Sequence, residues 1–316
     1  MRVVQVARFG GPEVLEVVAA PDPVPGPGEV VVAVAAAEVL WVETMIRSGH
    51  GGDYFPVQPP YRPGPGVAGT VIDVGEGVDR SWFGRRVVTP TGPNGGYVER
   101  ALEPAAGLLA VPDGVELSEA AALLHDGVTA LGVLEVVALR PEDRVLITAA
   151  AGGMGALLVQ LAHAAGAEVV AAAKGVRKLG RLGPLGADLV VDYSEPDWTE
   201  QVGKVSVVLD GAGGAYGRAA LDLVAPGGRF SGHGTPAGSF AGPGATVAEG
   251  VTVTGIERLQ FTPERFRHYA AGILAEAAAG RVRPLIGQTF PLARAADAHA
   301  ALENRTAIGK TVLRCP

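Results

Sequence analysis

The chain has 316 residues, of which 48% are hydrophobic and 19% are charged, and its formal net charge is −7. This composition is typical of a folded enzyme and excludes an intrinsically disordered protein. The acidic balance argues against nucleic acid or an anionic membrane as a partner, since either would favour a basic protein. The N-terminus lacks a signal-peptide core, and no apolar run reaches the roughly 18 residues of a membrane span, so we expect a cytoplasmic protein with no membrane partner.

Metal chemistry is restricted by the single cysteine, Cys315. One cysteine cannot form an internal disulfide, a four-cysteine structural zinc site or a two-cysteine catalytic zinc site. The six histidines show neither HxxxH nor HxH spacing. We therefore expect no metal ion, and a site built from scattered histidines and carboxylates is the alternative.

The N-terminal part of the chain, to about Pro112, has the pattern of short strands between turns. The run at Gly64–Gly77 alternates apolar residues between glycines, and Val39–Ser48 has the mixed character of a short helical turn. Strands at this spacing predict a barrel-like antiparallel domain. The other predicted strands here are Arg2–Ala7, Val30–Ala37, Arg85–Thr89 and Gly96–Ala101.

A helical pattern begins at Ser118, which we predict to be the N-cap of an apolar helix. After Pro141, strands and helices alternate, which predicts a doubly wound parallel sheet with helices on both faces. The predicted strands are Arg144–Ala149, Glu168–Ala173, Asp188–Asp192, Val205–Asp210, Gly228–Gly232 and Val251–Gly255. The predicted helices are Met154–Ala165, Val176–Leu185 and Tyr216–Val224, with a very short one at Trp198–Val202.

The alternation stops beyond Glu257. Thr262 and Pro263 have the pattern of an N-cap and a first helical residue, which predicts a helix over Pro263–Gly280. The strand, helix and strand that follow, Ile286–Phe290, Ala293–Glu303 and Lys310–Leu313, are too few for a third domain. We expect residues 1–117 and 257–316 to form one domain and 118–256 to form an inserted second one.

The strongest chemical motif is the glycine loop Ala149-x-x-Gly152-x-x-Gly155. It follows an apolar strand and opens an apolar helix, which is how proteins hold a dinucleotide pyrophosphate on backbone N–H groups. The alternative is an ordinary tight strand-to-helix turn. The predicted contacts from this loop come from Ala150, Gly152, Gly153, Met154 and Gly155.

Charge distinguishes between the two nicotinamide cofactors. NAD-binding proteins place a carboxylate at the end of the second strand, where it binds the ribose 2′-hydroxyl. Here no carboxylate lies between Glu168 and Asp188, and Lys174 is followed by Arg177, Lys178 and Arg181. A cationic cluster at this place favours the 2′-phosphate of NADPH, and a solvated helix face is the alternative.

The whole chain resembles a known superfamily. The glycine loop, PGPGVAGTVIDVGEGV at Pro63–Val78, ETMIRSG at Glu43–Gly49 and IGKTVL at Ile308–Leu313 are similar to segments of medium-chain dehydrogenases/reductases, specifically their zinc-independent quinone oxidoreductase (zeta-crystallin-like) branch. The resemblance implies a GroES-like barrel-type domain and a Rossmann domain. In the zinc-dependent enzymes a GHE motif supplies a metal-binding histidine, and the comparable stretch here is Gly64-Pro65-Gly66-Val67.

The resemblance also implies roles for single residues. Lys178 and Tyr193 match a lysine and a tyrosine that hold the NADPH 2′-phosphate, and Thr129 matches a threonine that faces the nicotinamide. For Thr129 the alternative is a mid-helix threonine bonded to a preceding carbonyl. Gly211 and the pair Gly232 and His233 end the fourth and fifth strands of the parallel sheet, where ligands bind.

The substrate side departs from the family. Quinone reductases typically have an asparagine where this chain has Leu40 and a tyrosine where it has Met45, and Glu43 replaces an aspartate. We therefore expect a more apolar pocket, formed by Leu40, Trp41, Met45, Tyr54 and His125. Core packing is the alternative role for Trp41 and Met45.

These features predict an NADPH-dependent reductase acting on a small-molecule quinone or α,β-unsaturated carbonyl. Conjugation already activates such an acceptor, so the chemistry needs only a hydride and a proton. Tyr54, His125 and His233 are the candidate proton donors, and water is the alternative. An enoyl-thioester or polyketide-pathway enone reductase is the second hypothesis, and an NADPH-binding structural or sensing protein is the third. The strand Val251–Gly255 could lie at a sheet edge, so we expect a homodimer.

Overall fold

The computed structural model describes residues 1–52, 55–92, 95–241 and 247–315, which form two compact units. The first unit comprises residues 1–125, 270–279 and 286–316. The second comprises residues 126–269 and 280–285. The domain boundaries at residues 117 and 257 stay a prediction.

The first unit is built on an eleven-residue strand, Glu29–Val39. This strand pairs antiparallel with three others, Gly66–Val74, Arg100–Pro104 and Lys310–Arg314, and its valines Val30, Val31 and Val32 are buried. A valine-rich strand forms because β-branched side chains pack well on a pleated surface. The strands of this unit are β1 (Arg2–Val6), β2 (Leu15–Ala19), β3 (Glu29–Val39), β4 (Gly66–Val74), β5 (Arg86–Pro90), β6 (Arg100–Pro104), β7 (Leu109–Ala110), β14 (Ile286–Pro291) and β15 (Lys310–Arg314).

The second unit contains a six-stranded, wholly parallel sheet. Its strands are β8 (Arg144–Thr148), β9 (Glu168–Ala173), β10 (Leu189–Asp192), β11 (Val205–Asp210), β12 (Val224–Gly232) and β13 (Thr252–Gly255). Their spatial order is β10-β9-β8-β11-β12-β13, the order of a dinucleotide-binding sheet. The chain order reverses between β8 and β11, so the two strands that flank the ligand crevice lie side by side. The strand β13 lies at an edge, as the sequence suggested.

Most of the predicted helices are confirmed, but one predicted N-cap and one predicted helix range are wrong. They are α1 (Trp41–Arg47), α2 (Leu117–Val137), α3 (Gly153–Ala164), α4 (Val176–Leu179), α5 (Trp198–Val202), α6 (Gly214–Asp222), α7 (Pro263–Ala278) and α8 (Ala295–Glu303). The prediction that Ser118 caps α2 is wrong: the helix already includes it, and the Glu119 carboxylate accepts a hydrogen bond from Glu116 N (3.1 Å). The predicted helix Val176–Leu185 is also wrong beyond Leu179, because glycines and Pro184 reduce it to a separate 3₁₀ turn.

By length and composition alone, α2 could cross a membrane. Its apolar surface is instead used inside the protein, where 61% of its most apolar window is buried. A buried core helix can have the same composition as a membrane span, and the burial of α2 is that of a core helix.

The helix α1, which contains the predicted pocket residues Trp41 and Met45, is held by the buried carboxylate of Glu43. This carboxylate accepts hydrogen bonds from Leu40 N (3.0 Å), Gly64 N (2.6 Å) and the Tyr97 hydroxyl (3.0 Å). Burial raises the pKa of Glu43 to about 7, although these hydrogen bonds oppose the shift. Glu43 therefore fixes both the start of α1 and the turn before β4.

We predict that Glu43 makes the protein less stable as the pH rises. Its pKa is about 7 in the folded state against 4.5 ordinarily, so ionisation between these values costs about 3 kcal/mol of the free energy of unfolding. Denaturant unfolding from pH 4.5 to 7.5 should show a loss that is about 3 kcal/mol larger in the unaltered protein than in Glu43→Gln. Burial also raises the pKa of Glu103 to about 7, but Glu103 is present in both proteins, so its contribution cancels in the comparison. Parallel pH profiles for the two proteins would contradict the prediction.

We also predict a difference between the two candidate caps. The Thr262 hydroxyl accepts a hydrogen bond from Arg265 N (3.3 Å) at the start of α7, as predicted, so Thr262→Ala should cost about 1 kcal/mol. Ser118→Ala should leave the free energy of unfolding unchanged or raise it, because alanine is the better helix former inside α2. Denaturant unfolding of both variants measures this, and the opposite ranking would contradict it.

Candidate cofactor and substrate site

The glycine loop is a close-packed junction between β8 and α3. A side chain at Gly155 would place its Cβ 2.8 Å from the Cα of Ala150, so only glycine lets the helix approach the end of the strand. Ala149 turns the chain with φ of +50°, an uncommon conformation for a residue with a side chain. The loop therefore has the geometry of a nucleotide cradle rather than that of a loose turn.

The backbone N–H groups of the loop divide into two sets. Those of Ala150 and Gly152 donate to Ala172 O (3.0 Å) and Ala149 O (2.9 Å), so they hold the loop itself. The first hydrogen bond of α3 runs from Ala156 N to Gly152 O (3.0 Å). The N–H groups of residues 153, 154 and 155 precede this bond, so they are not used within the helix. These three donors, at the positive end of a twelve-residue helix, suit a pyrophosphate.

A buried network fixes the turn after β11. The Asp210 carboxylate accepts hydrogen bonds from the Thr148 hydroxyl (2.5 Å) and from Ala212 N (3.1 Å) and Gly213 N (3.2 Å). The Thr148 oxygen in turn accepts one from Gly211 N (3.0 Å). Burial raises the pKa of Asp210 despite these bonds. The ends of β8 and β11 are thereby joined, and Gly211 is held beside the glycine loop.

His233, at the end of β12, lies against the same turn. Its Nε2 is 3.1 Å from the position that a Gly211 side chain would occupy. Its Nδ1 is buried and has no hydrogen-bond partner among the residues that the structure describes. Burial lowers the pKa of His233 to about 4, so the imidazole is neutral at pH 7. A buried ring that is neutral at pH 7 is poorly suited to donate a proton.

The turns after β9 and β10 are joined by Asp192, which the sequence analysis did not identify. Its carboxylate accepts hydrogen bonds from Gly175 N (2.9 Å), Ser194 N (2.9 Å) and the Ser194 hydroxyl (2.6 Å). Although partial burial opposes ionisation, these bonds and the nearby Lys174 lower the pKa of Asp192. Through these hydrogen bonds, Asp192 joins the turn that follows β9 to the turn that follows β10. Only the tertiary pairing of β9 with β10 shows this role.

The basic cluster lies at these two turns. Lys174, Arg177 and Arg181 are exposed, and none forms an ion pair with a carboxylate within residues 1–52, 55–92, 95–241 and 247–315. Tyr193 stacks on Tyr216, with ring centroids 4.3 Å apart and an interplanar angle of 27°. Lys178 is half-buried on α4. This end of the site presents positive charge and a fixed phenol ring.

In the first unit, the predicted pocket residues of α1 are not in the core. Met45 is 37% exposed, and Leu40 and Trp41 are half-buried. The indole Nε1 of Trp41 is buried and has no partner in the described part of the chain. Tyr54 lies outside the described residues.

His125 contacts a carboxylate that the sequence analysis missed. Its Nδ1 lies against the Glu38 carboxylate, which also accepts a hydrogen bond from Lys310 Nζ (2.9 Å). Burial opposes ionisation of Glu38, but the two basic neighbours lower its pKa to about 2. In the described ranges, no three His, Cys, Asp or Glu side chains form a group that could hold a metal ion.

Comparisons with known proteins agree with this geometry. Sequence models of the families described as "Alcohol dehydrogenase GroES-like domain" and "Zinc-binding dehydrogenase" match residues 26–113 and 185–313. A quinone oxidoreductase of Sus scrofa is 31% identical, covering 99% of this chain and 97% of its own, and a 2-haloacrylate reductase of Burkholderia sp is 33% identical, covering 92% and 91%. The Escherichia coli quinone oxidoreductase complexed with NADPH superposes with a TM-score of 0.88 at 28% identity, covering 99% of this chain and 100% of that one.

The second family description names zinc, whereas this chain has one cysteine, Cys315, and Gly64–Val67 in place of the GHE motif. The predicted fold and cofactor are both confirmed: a GroES-like domain is combined with a Rossmann domain, and the cofactor is NADPH. The chain belongs to the zinc-independent quinone oxidoreductase branch of the medium-chain dehydrogenase/reductase superfamily, and it is an NADPH-dependent oxidoreductase.

Proposed function

We propose that this oxidoreductase transfers a hydride to a quinone or to an α,β-unsaturated carbonyl without zinc. The observation that carries the proposal is the apolar start of α1, where Leu40 and Met45 stand in place of the asparagine and tyrosine typical of quinone reductases, Met45 is exposed, and Leu40 and Trp41 are half-buried. Such a surface favours a flat, conjugated, weakly polar acceptor over an alcohol or a sugar. Conjugation makes a Lewis acid unnecessary, because the acceptor spreads the developing negative charge itself.

The proposed cofactor contacts follow the carboxyl edge of the parallel sheet. The pyrophosphate binds the N–H groups of Gly153, Met154 and Gly155, while Ala150 and Gly152 hold the loop. The bound NADPH supplies the hydride. The remaining contacts come from the ends of the other strands and from α2: Lys174, Lys178 and Tyr193 to the 2′-phosphate, Gly211, Gly232 and His233 to the riboses, and Thr129 to the nicotinamide.

A more specific candidate is an enone or enoyl-thioester reductase, including one from a polyketide pathway. Two observations favour it: the apolar pocket residues Leu40 and Met45, and the relative named 2-haloacrylate reductase, whose substrate is an α,β-unsaturated acid. An NADPH-binding protein with a structural or sensing role and little turnover is the alternative from outside catalysis. We further propose that the protein is cytoplasmic and forms a homodimer through the edge strand β13.

An acceptor panel tests the proposed function. Purified protein is mixed with NADPH and a series of quinones, enones and enoyl thioesters, and the absorbance of the reduced nicotinamide is followed. Turnover of quinones supports the first hypothesis, and turnover of enones or thioesters alone supports the second. Tight NADPH binding without turnover would contradict both and support a non-catalytic role. Activity should be unchanged after treatment with a chelator, and a chelator-sensitive rate would overturn the zinc-free mechanism.

We predict that Lys178→Ala selectively weakens the use of NADPH. Removing one cation from the 2′-phosphate site should raise KM for NADPH by about tenfold or more, since charge-assisted contacts to a phosphate are worth roughly 1.5–3 kcal/mol. KM for NADH should change little, because NADH lacks this phosphate. The matched control is Arg283→Ala, which also removes one positive charge but lies far from the cluster in the sequence. Equal effects of Lys178→Ala on the two cofactors would contradict the proposed role.

A further inference from the structure

A carboxylate lies at the same edge of the parallel sheet as the basic cluster. Asp192 is the last residue of β10, and it pairs in register with Ala173, the last residue of β9. Its Oδ2 accepts a hydrogen bond from Gly175 N (2.9 Å) in the turn that follows β9. Neighbouring strands are about 4.8 Å apart, so this carboxylate lies beside the end of β9. All of these residues belong to the second unit.

The end of β9 is the place where a dinucleotide-binding sheet distinguishes its two cofactors. This strand is the second of the sheet in chain order, and the residues that follow the second strand meet the ribose 2′ position. A carboxylate there accepts the 2′-hydroxyl of NADH, whereas cations there pair with the 2′-phosphate of NADPH. In the sequence this place holds only cations, of which Lys174 is the first. The structure adds the carboxylate of Asp192, which is 17 residues from Gly175 in the chain.

Asp192 is ionised and can accept one more hydrogen bond. Partial burial opposes its ionisation, but the hydrogen bonds from Ser194 and Gly175 and the charge of Lys174 lower its pKa. Its Oδ1 accepts hydrogen bonds from the N–H (2.9 Å) and the hydroxyl (2.6 Å) of Ser194, and its Oδ2 accepts the one from Gly175 N. An ionised carboxylate has about four acceptor positions, so one position remains on Oδ2.

The space beside Gly175 is open. This glycine has a φ of +87°, a conformation that favours glycine, and no atom of the described residues lies within 4 Å of the position that its Cβ would occupy. Asp192 is half-buried and Lys174 is exposed, and the two are close enough for their charges to interact. A ligand can therefore approach the backbone at the end of β9, where it meets a carboxylate as well as an ammonium group.

We propose that Asp192 is a specificity-determining residue that lets the enzyme bind NADH as well as NADPH. With NADH, the remaining position on its carboxylate accepts a ribose hydroxyl. With NADPH, its negative charge repels the 2′-phosphate and opposes part of the attraction of the basic cluster. This role rests on the proposed function, which places the 2′-phosphate beside Lys174.

The charges at this edge decide which cofactor is preferred. One carboxylate opposes the four cations that follow β9, which are Lys174, Arg177, Lys178 and Arg181. Their sum is positive, so NADPH stays the preferred cofactor, and Asp192 reduces the preference without reversing it. A like charge several ångströms from a phosphate in partly hydrated surroundings changes its affinity about threefold to tenfold.

Cofactor binding tests this role without any acceptor. The Kd values of NADPH and NADH are measured by the fluorescence of the reduced nicotinamide. Asp192→Asn should lower the Kd of NADPH and raise the Kd of NADH, so that their ratio shifts toward NADPH by about tenfold or more. The change for NADPH should shrink at about 0.5 M salt, because mobile ions screen charges near the surface. Asp192→Ser should shift the ratio in the same direction, since a serine hydroxyl also accepts a hydrogen bond from a turn N–H.

Two further variants separate the charge of Asp192 from its support of the turn. The matched control is Asp188→Asn, because Asp188 precedes β10 at the opposite end of the same strand pair and its Oδ2 accepts a hydrogen bond from Val169 N (2.8 Å). It removes the same charge and a similar bond between the strands, so the ratio of the Kd values should not change. Ser194→Ala removes a hydrogen bond to Asp192 but keeps its charge, so the ratio should not shift toward NADPH.

Several results would overturn the inference. An unchanged ratio in Asp192→Asn and Asp192→Ser would exclude Asp192 as a determinant of specificity. Equal weakening of both cofactors in these variants, or an equal shift in Ser194→Ala, would mean that Asp192 only supports the turn. The placement of the 2′-phosphate is tested separately by Lys174→Ala, which should weaken the binding of NADPH and not of NADH. If Lys174→Ala weakens both equally, that placement fails and the inference fails with it; if only the Asp192 variants fail, the placement stands.

Discussion

The cofactor site depends on the close approach of α3 to the end of β8, which Gly155 alone permits. With the helix placed there, its first N–H groups face the point where the chain order of the sheet reverses. Parallel strands bring all their carboxyl ends to one edge, so Asp210, Asp192 and His233 reach this edge from three different strands. A side chain at residue 155 would meet the backbone of Ala149 and Ala150 and force α3 away from the end of β8.

Three buried carboxylates show how the same group is adapted to different tasks. Glu38 stays ionised because Lys310 and His125 outweigh its burial. Among the described residues, no cation lies within hydrogen-bonding distance of Glu43, so burial raises its pKa to about 7, and its carboxylate links α1, Gly64 and Tyr97 by hydrogen bonds. Asp210 relies on hydroxyl and backbone donors, which offset only part of its burial. The neighbours, rather than the residue type, decide whether a buried carboxylate keeps its charge.

The sequence alone predicted much of the fold because the periodic signals are strong. The strands of the parallel sheet are short apolar runs between glycines, and the Thr262-Pro263 pair marked the start of α7 correctly. The two errors occurred where local signals conflict. Ser118 is a residue type that favours the N-cap position, but it lies inside α2. The polar pattern of α4 continues after Leu179, but the glycines there end the helix. Glu38 was missed because its partners are distant in sequence. Lys310 is 272 residues from Glu38, and no local pattern connects them.

The sequence by itself determined the class of chemistry. The glycine loop, the absence of a carboxylate between Glu168 and Asp188, the basic residues from Lys174 to Arg181 and the single Cys315 together indicated a zinc-free NADPH enzyme, because residue type and local spacing fix which ligands can be bound. Only the tertiary structure decided the electrostatic state of the side chains. It placed a neutral His233 beside Gly211 and an ionised Glu38 between His125 and Lys310. Burial and charged neighbours set protonation, and both arise only when distant segments pack together.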